Sequence, residues 1–193
     1  MKNKKTFFII ALVFVLLIGG ATVLYRQLGK NIAAEQLATQ STNQSDESAA
    51  SETEQKIKAP DFTVYDADGN EVHLADYIGK PIVLNFWASW CGPCQSEMPD
   101  FHEKYLELGD DVHFLMINMT DGARETVESA SAFIAKNGYA FPVFYDTKSD
   151  AASIYGAYSL PTTFFIDADG YAIAQATGAI DAETLQRGLD MIK

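Results

Sequence analysis

Cys91 and Cys94 are the only cysteines in the 193-residue chain, and they stand in the run Trp90-Cys91-Gly92-Pro93-Cys94. Two thiols three positions apart can cycle between a dithiol and a disulfide. The attacking species in such exchange is the thiolate. A cysteine at a helix N-terminus meets unpaired backbone N–H groups and the positive end of the dipole, both of which favour the anion. Cys91 is expected there, as nucleophile. Cys94 would follow one turn later on the same face, placed to resolve a mixed disulfide. Gly92 permits a tight entry, and Pro93 sets φ for a first helical turn. Trp90 would form an apolar wall beside the attacking sulfur. A zinc half-site is the competing reading of a C-x-x-C pair. Structural zinc asks for four Cys or His ligands, no second pair exists, and His73, His102 and His113 are scattered. No metal or separate cofactor is expected; the redox group is the Cys91–Cys94 pair itself.

Glu97 lies three residues after Cys94 and so projects from the same helical face. A solvated surface Glu is the ordinary fate of that residue type. A buried Glu97 would instead have a raised pKa and could exchange the proton of Cys94. Position alone leaves both readings open. Leu160-Pro161-Thr162 precedes an apolar strand. Pro161 is either an ordinary strand-initiating proline or a cis-proline whose neighbouring backbone pairs with an extended substrate.

The elements that must hold these residues are legible in the hydrophobic pattern. Pro81 to Trp87 is a nearly continuous apolar run, as in a strand covered on both faces. Cys91 to Leu108 carries Met98, Phe101, Tyr105 and Leu108 at helical steps, with Pro99 inside. Before them, Phe62 to Tyr65 and Glu71 to Leu74 flank the turn Asp68-Gly69-Asn70, and Asp76 to Ile78 forms a short helical turn ended by Gly79. After them come a strand at Val112 to Met119 and a helix from Glu125 to Lys136 closed by Asn137-Gly138. A short strand at Phe141 to Tyr145 and a helix at Ala151 to Tyr155 follow. Strands at Thr162 to Ile166 and Tyr171 to Thr177 surround the turn Asp167-Ala168-Asp169-Gly170. Leu185, Leu189 and Ile192 then mark one face of a last helix, Ala182 to Ile192. The order predicts an α/β domain, a mixed central sheet with helices on both sides.

The rest of the chain sets location. Lys2, Lys4 and Lys5, within residues 1–5, precede an uncharged run at 6–25, and a membrane-spanning helix needs roughly 20 apolar residues. Positive charge before the run favours an N-terminus in the cytoplasm. The competing reading is a cleaved signal peptide, whose apolar core would be shorter, roughly 7–15 residues. Either reading puts the C-terminal part outside the cytoplasm, on a single-pass anchor in the first case. Residues 26–58 are rich in Ser, Thr, Gln, Glu and Ala and read as a flexible linker, with too little apolar surface to offset ordering entropy. Residues 59–193, about 135, suffice for one domain with its own core. A net charge of −12 argues against nucleic acid as a partner.

The run Phe86-Trp87-Ala88-Ser89-Trp90-Cys91-Gly92-Pro93-Cys94, with Leu160-Pro161-Thr162-Thr163 further on, resembles the thioredoxin superfamily. The match is closer to its membrane-tethered TlpA/ResA-like branch of thiol-disulfide oxidoreductases. Four features carry this: the N-terminal anchor, the opening Ala59-Pro60-Asp61-Phe62 with its hairpin, Glu97-Met98-Pro99 after Cys94, and an insert-sized stretch from Thr120 to Tyr139. The resemblance implies a thioredoxin-like fold with an N-terminal β-hairpin extension and a central insert. It also implies Cys91 as nucleophile, Cys94 as resolving cysteine, Glu97 tuning the pair, and Pro161 in the cis form, with Trp90 and Leu160 beside the substrate. Asn85 stands where cytoplasmic thioredoxins carry a buried Asp. The turn Gly92-Pro93 is that of thioredoxin, whereas ResA-like proteins often carry a Glu in it. The implied activity is reduction of disulfides in extracytoplasmic proteins such as apocytochrome c, with electrons from a membrane thiol carrier of the CcdA or DsbD type. Two rivals differ in class. A peroxiredoxin-type peroxidase would want a P-x-x-x-T-x-x-C context, which is absent. A thiol copper chaperone would want a further ligand, for which Met98 and His102 are the local candidates.

Overall fold

The computed structural model describes residues 37–39 and 56–193. The apolar run at 6–25 lies outside the described residues, and among the described ones no helix is long and apolar enough to cross a membrane. The chain order is β1 (Leu37–Thr39), β2 (Ile57–Lys58), β3 (Thr63–Tyr65), β4 (Glu71–His73), a 3-10 turn (Leu74–Tyr77) and β5 (Ile82–Trp87). It continues with α1 (Gly92–Leu108), β6 (His113–Asn118), α2 (Val127–Asn137), β7 (Val143–Tyr145), α3 (Asp150–Tyr155), β8 (Thr162–Ile166), β9 (Tyr171–Thr177) and α4 (Ala182–Ile192).

One mixed sheet runs in the order β1-β9-β8-β5-β6-β7-β3-β4, with β2 also paired to β9. β5, β6 and β7 are parallel, and β8 runs antiparallel to β5. The hairpin β3–β4 joins the far edge through Tyr65 opposite Tyr145. The fold is thioredoxin-like α/β, as the sequence predicts. Two stretches assigned by composition to the linker, Leu37–Thr39 and Ile57–Lys58, lie as strands along β9. Backbone pairing to an available edge does not require large apolar side chains, which is why composition does not reveal it.

β5 is central, and all six of its residues are buried. Because side chains alternate across a strand, Val83 and Trp87 enter one core with Met98, Phe101, Phe165, Leu185 and Leu189. Ile82, Leu84 and Phe86 enter the other core with Leu115, Ile117 and Phe164. The same alternation puts Asn85 on the α1 and α4 face, a polar group in an apolar layer that must find partners there. α4 packs close on β8: a Cβ at Gly188 would collide with the Phe165 ring.

α1 buries Cys94, Glu97, Met98 and Phe101, an i, i+3, i+4, i+7 stripe. Pro99 lies inside the helix on its exposed side, outside that stripe. α2 starts two residues later than the acidic residue at its head suggests. Thr126 and Ser129 form a reciprocal capping box, which leaves Glu125 outside the helix. Gly138 closes α2 in the left-handed region, with φ 69°.

Candidate active site

Cys91 caps α1. Its φ and ψ, −82° and 106°, are extended, and the helix proper begins at Gly92 with Pro93 in the first turn. The Cys94 N–H donates to Cys91 Sγ at 3.2 Å, so the sulfur occupies the place of a capping oxygen. Cys91 and Cys94 are joined as a disulfide. Cys91 is 5 % exposed, and Cys94 is fully buried. Of the two cysteines, Cys91 borders the open cleft at the head of the helix and Cys94 does not.

One turn on, Glu97 is 2 % exposed. The surface reading of this residue therefore does not hold. Its Oε1 accepts from Asn85 Nδ2 at 2.9 Å, and its Oε2 accepts from the Ile180 N–H at 3.0 Å. Asn85 Nδ2 also donates to Thr163 Oγ1 at 3.0 Å, while Asn85 Oδ1 is buried without a partner among the described residues. Burial pushes the Glu97 carboxyl up to about 7, and the two hydrogen bonds oppose that push only in part. A carboxyl of this kind changes protonation near neutral pH on the face of α1 that also carries Cys94.

The Leu160–Pro161 bond is cis, and Pro161 is buried at the start of β8. Leu160 faces an open cleft of about 560 Å³ together with Trp90, Cys91, Gly92, Pro93, Met119, Asp121, Arg124, Ala157 and Tyr158. Trp90, at 41 %, and Tyr158, at 85 %, are exposed aromatic groups on its rim. Trp90, Leu160 and Cys91 are thus brought together at one cleft, and Cys94 and Glu97 lie beneath it in the core. Among the described residues no cluster of three or more His, Cys, Asp or Glu side chains is arranged for a metal. His73, His102 and His113 bind other groups: Thr63, the Ala140 N–H with the Tyr139 ring, and the Tyr77 ring.

Sequence reasoning missed a second layer. Glu125 is fully buried, and its carboxylate accepts from the Ser89 N–H at 2.8 Å, Ser89 Oγ at 2.7 Å and Asn118 Nδ2 at 2.7 Å. The Arg124 guanidinium lies 3.5 Å from the centroid of the Trp90 ring. The turn that presents both is organised by Asp121, whose Oδ1 accepts from the N–H groups of Ala123, Arg124 and Glu125. Those donors, the Glu125 N–H foremost, hold the Asp121 carboxyl below its ordinary range. In sequence, Glu125 looks like an acidic residue in the first turn of a helix, and nothing local signals its burial.

Comparison with known proteins supplies context. The family model described as the AhpC/TSA family matches residues 56–174. A thiol-disulfide oxidoreductase ResA from Geobacillus kaustophilus is 38% identical over 136 residues, covering 70% of this chain and 76% of the relative. The crystal structure of a putative thiol:disulfide interchange protein DsbE from Chlorobium tepidum is 30% identical with a TM-score of 0.63, covering 72% of this chain and 97% of that one. The crystal structure of StoA from Bacillus subtilis is 26% identical with a TM-score of 0.58, covering 67% and 96%.

Proposed function

The chain belongs to the AhpC/TSA family and is a ResA-like thiol-disulfide oxidoreductase, and on that footing we propose that it reduces disulfides of extracytoplasmic proteins through Cys91. The observation that carries this reading is the division of labour along α1. Cys91 caps the helix at the cleft, whereas Cys94 and Glu97 are buried behind it.

In the dithiol state the Cys94 N–H and the helix N-terminus favour the Cys91 thiolate. The thiolate attacks one sulfur of a substrate disulfide and releases the other as a thiolate, leaving a mixed disulfide on Cys91. Glu97, ionised above its pKa of about 7, takes the proton of the Cys94 thiol. The Cys94 sulfur then attacks Cys91 Sγ, forms the internal disulfide and expels the second substrate thiolate. Two electrons pass to the substrate, whose two sulfurs take up two protons as thiols. Trp90 and Leu160 flank the incoming segment, and the backbone leading into Pro161 offers it a strand-like partner.

The N-terminal apolar run supports a membrane-tethered site of action, cell-surface or periplasmic in character, with the domain outside the cytoplasm. A membrane thiol carrier of the CcdA or DsbD type would return electrons to the Cys91–Cys94 disulfide. Apocytochrome c, whose cysteines must be reduced before haem attachment, is the proposed substrate class. The direction of transfer is tested by equilibrating the full-length protein with glutathione buffers. The reductase reading expects a potential toward the thioredoxin end, around −270 mV, and a value near −120 mV, typical of an oxidant, would sink it.

A further inference from the structure

Two loops meet at the head of α1 in register. Arg124 stacks on Trp90, and Glu125, the next residue, takes both donors of Ser89, the residue before Trp90. We infer that Arg124 and Glu125 are positioning residues: together they clamp Ser89-Trp90 and hold the indole as a fixed wall against which a protein disulfide is presented to Cys91.

This rests on the disulfide-exchange reading above. Three observations carry it. First, the clamp is anchored at both ends. Asn118, the last residue of β6, donates to the Glu125 carboxylate, and the Met119 N–H donates to the Trp87 carbonyl at the end of β5. Asp121 fixes the intervening turn through three backbone N–H groups. Second, the clamped segment is held on its other side too. Gln95 Nε2 donates to the Ser89 carbonyl at 2.6 Å, and the Cys91 N–H donates to the Ala88 carbonyl at 3.1 Å. With both ends of Ser89 tied, the backbone at Trp90 is fixed, and the guanidinium of Arg124 lies on the ring that projects from it. Third, Trp90, Arg124 and Asp121 all border the cleft that contains Cys91. A partly exposed indole would otherwise sample several rotamers, and ordering it on encounter would weaken productive binding. A prepositioned wall removes that loss for a bulky protein substrate. It does nothing for a small reagent that reaches the sulfur directly.

The test uses the full-length protein and variants Arg124→Ala, Ser89→Ala, Glu125→Ala and Glu125→Gln. Guanidinium stacking at a partly exposed site corresponds to about a 2- to 5-fold effect. Arg124→Ala is therefore expected to lower kcat/KM for insulin reduction about 2- to 5-fold, mainly through KM. Alkylation of reduced Cys91 by iodoacetamide should fall by less than insulin reduction does, since the lost guanidinium acts on a small reagent only through its charge. Acrylamide quenching should rise in the same variant, because Trp87 is buried and Trp90 reports the change. Glu125→Ala, if it folds, should lose more than Arg124→Ala, and Glu125→Gln should recover part of that loss. Ser89→Ala removes one hydrogen bond while sparing the fold if Glu125→Ala does not express. A folded Arg124→Ala protein with wild-type insulin kinetics and wild-type quenching overturns the clamp. A wild-type protein that reduces no insulin would instead refute the reductase reading, and quenching would then decide the clamp by itself.

Discussion

Replacing Glu97 with Gln should raise the stability of the oxidised protein, relative to wild type, as pH goes from 5 to 8. The carboxyl is buried against Asn85 and the Ile180 N–H, and its pKa stands at about 7 against an ordinary 4.5. Between those values the folded protein binds a proton that the unfolded chain has lost. Stability contributed by the protonated carboxyl is complete below pH 4.5 and disappears as pH rises through 7. Each pKa unit is worth about 1.4 kcal/mol, so the wild type should lose about 2 to 3 kcal/mol from this group between pH 5 and pH 8. The side-chain amide introduced by Glu97→Gln cannot ionise. Its carbonyl can still accept from the Ile180 N–H. Its NH₂ group can donate to Asn85 Oδ1 only after a flip of the Asn85 side chain, which moves Nδ2 to the buried position where Oδ1 has no partner, a cost that does not change with pH. Asp146 is also buried with a raised carboxyl, but it is common to both proteins and cancels in the difference. The assay is urea unfolding of wild type and variant, both with the disulfide intact, at pH 5, 6.5 and 8. A stability difference between variant and wild type that does not grow with pH would refute the reasoning, because it would mean Glu97 does not titrate near 7 in the folded state.

The same residue has a kinetic signature. Turnover with a protein disulfide should rise with pH through about 7 as Glu97 ionises, and Glu97→Gln should flatten that limb and slow the resolving step by about 10²-fold, measured by stopped-flow decay of the mixed disulfide. Gly188→Ala would drive a methyl group into the Phe165 ring, costing about 1 to 3 kcal/mol in urea unfolding with the cysteine chemistry intact if the helix can shift. Asp181 Oδ1 accepts from the Thr184 N–H at the start of α4, so Asp181→Ala should cost about 1 kcal/mol by the same measurement.

Much of the architecture is legible in local pattern. The apolar run at 82–87 marks β5 as a strand buried on both faces, and the steps Met98, Phe101 mark the inner face of α1. That face passes through Cys94 and Glu97 and so foretells their side, but not whether the chain leading into α4 closes over it. The decisive contact on Glu97 comes from Ile180, 83 positions away. Burial of Glu125 arises likewise from two loops meeting across 36 positions. Read locally, Glu125 is an ordinary acidic residue in the first turn of a helix, and the Thr126–Ser129 capping box shows why the helix excludes it. The pairing of 37–39 and 57–58 with β9 is invisible for a different reason. It uses backbone groups, and backbone groups carry no residue signal.

The central claim is that Cys91, capping α1 at the cleft, is the sulfur that meets substrate, and that Cys94 acts only from behind it. Reduced full-length Cys94→Ser, mixed with an excess of oxidised insulin, should accumulate a mixed disulfide on Cys91 that dithiothreitol dissolves, while Cys91→Ser should form none. An adduct on Cys94 in the Cys91→Ser protein, with none on Cys91 in the other, would contradict the account.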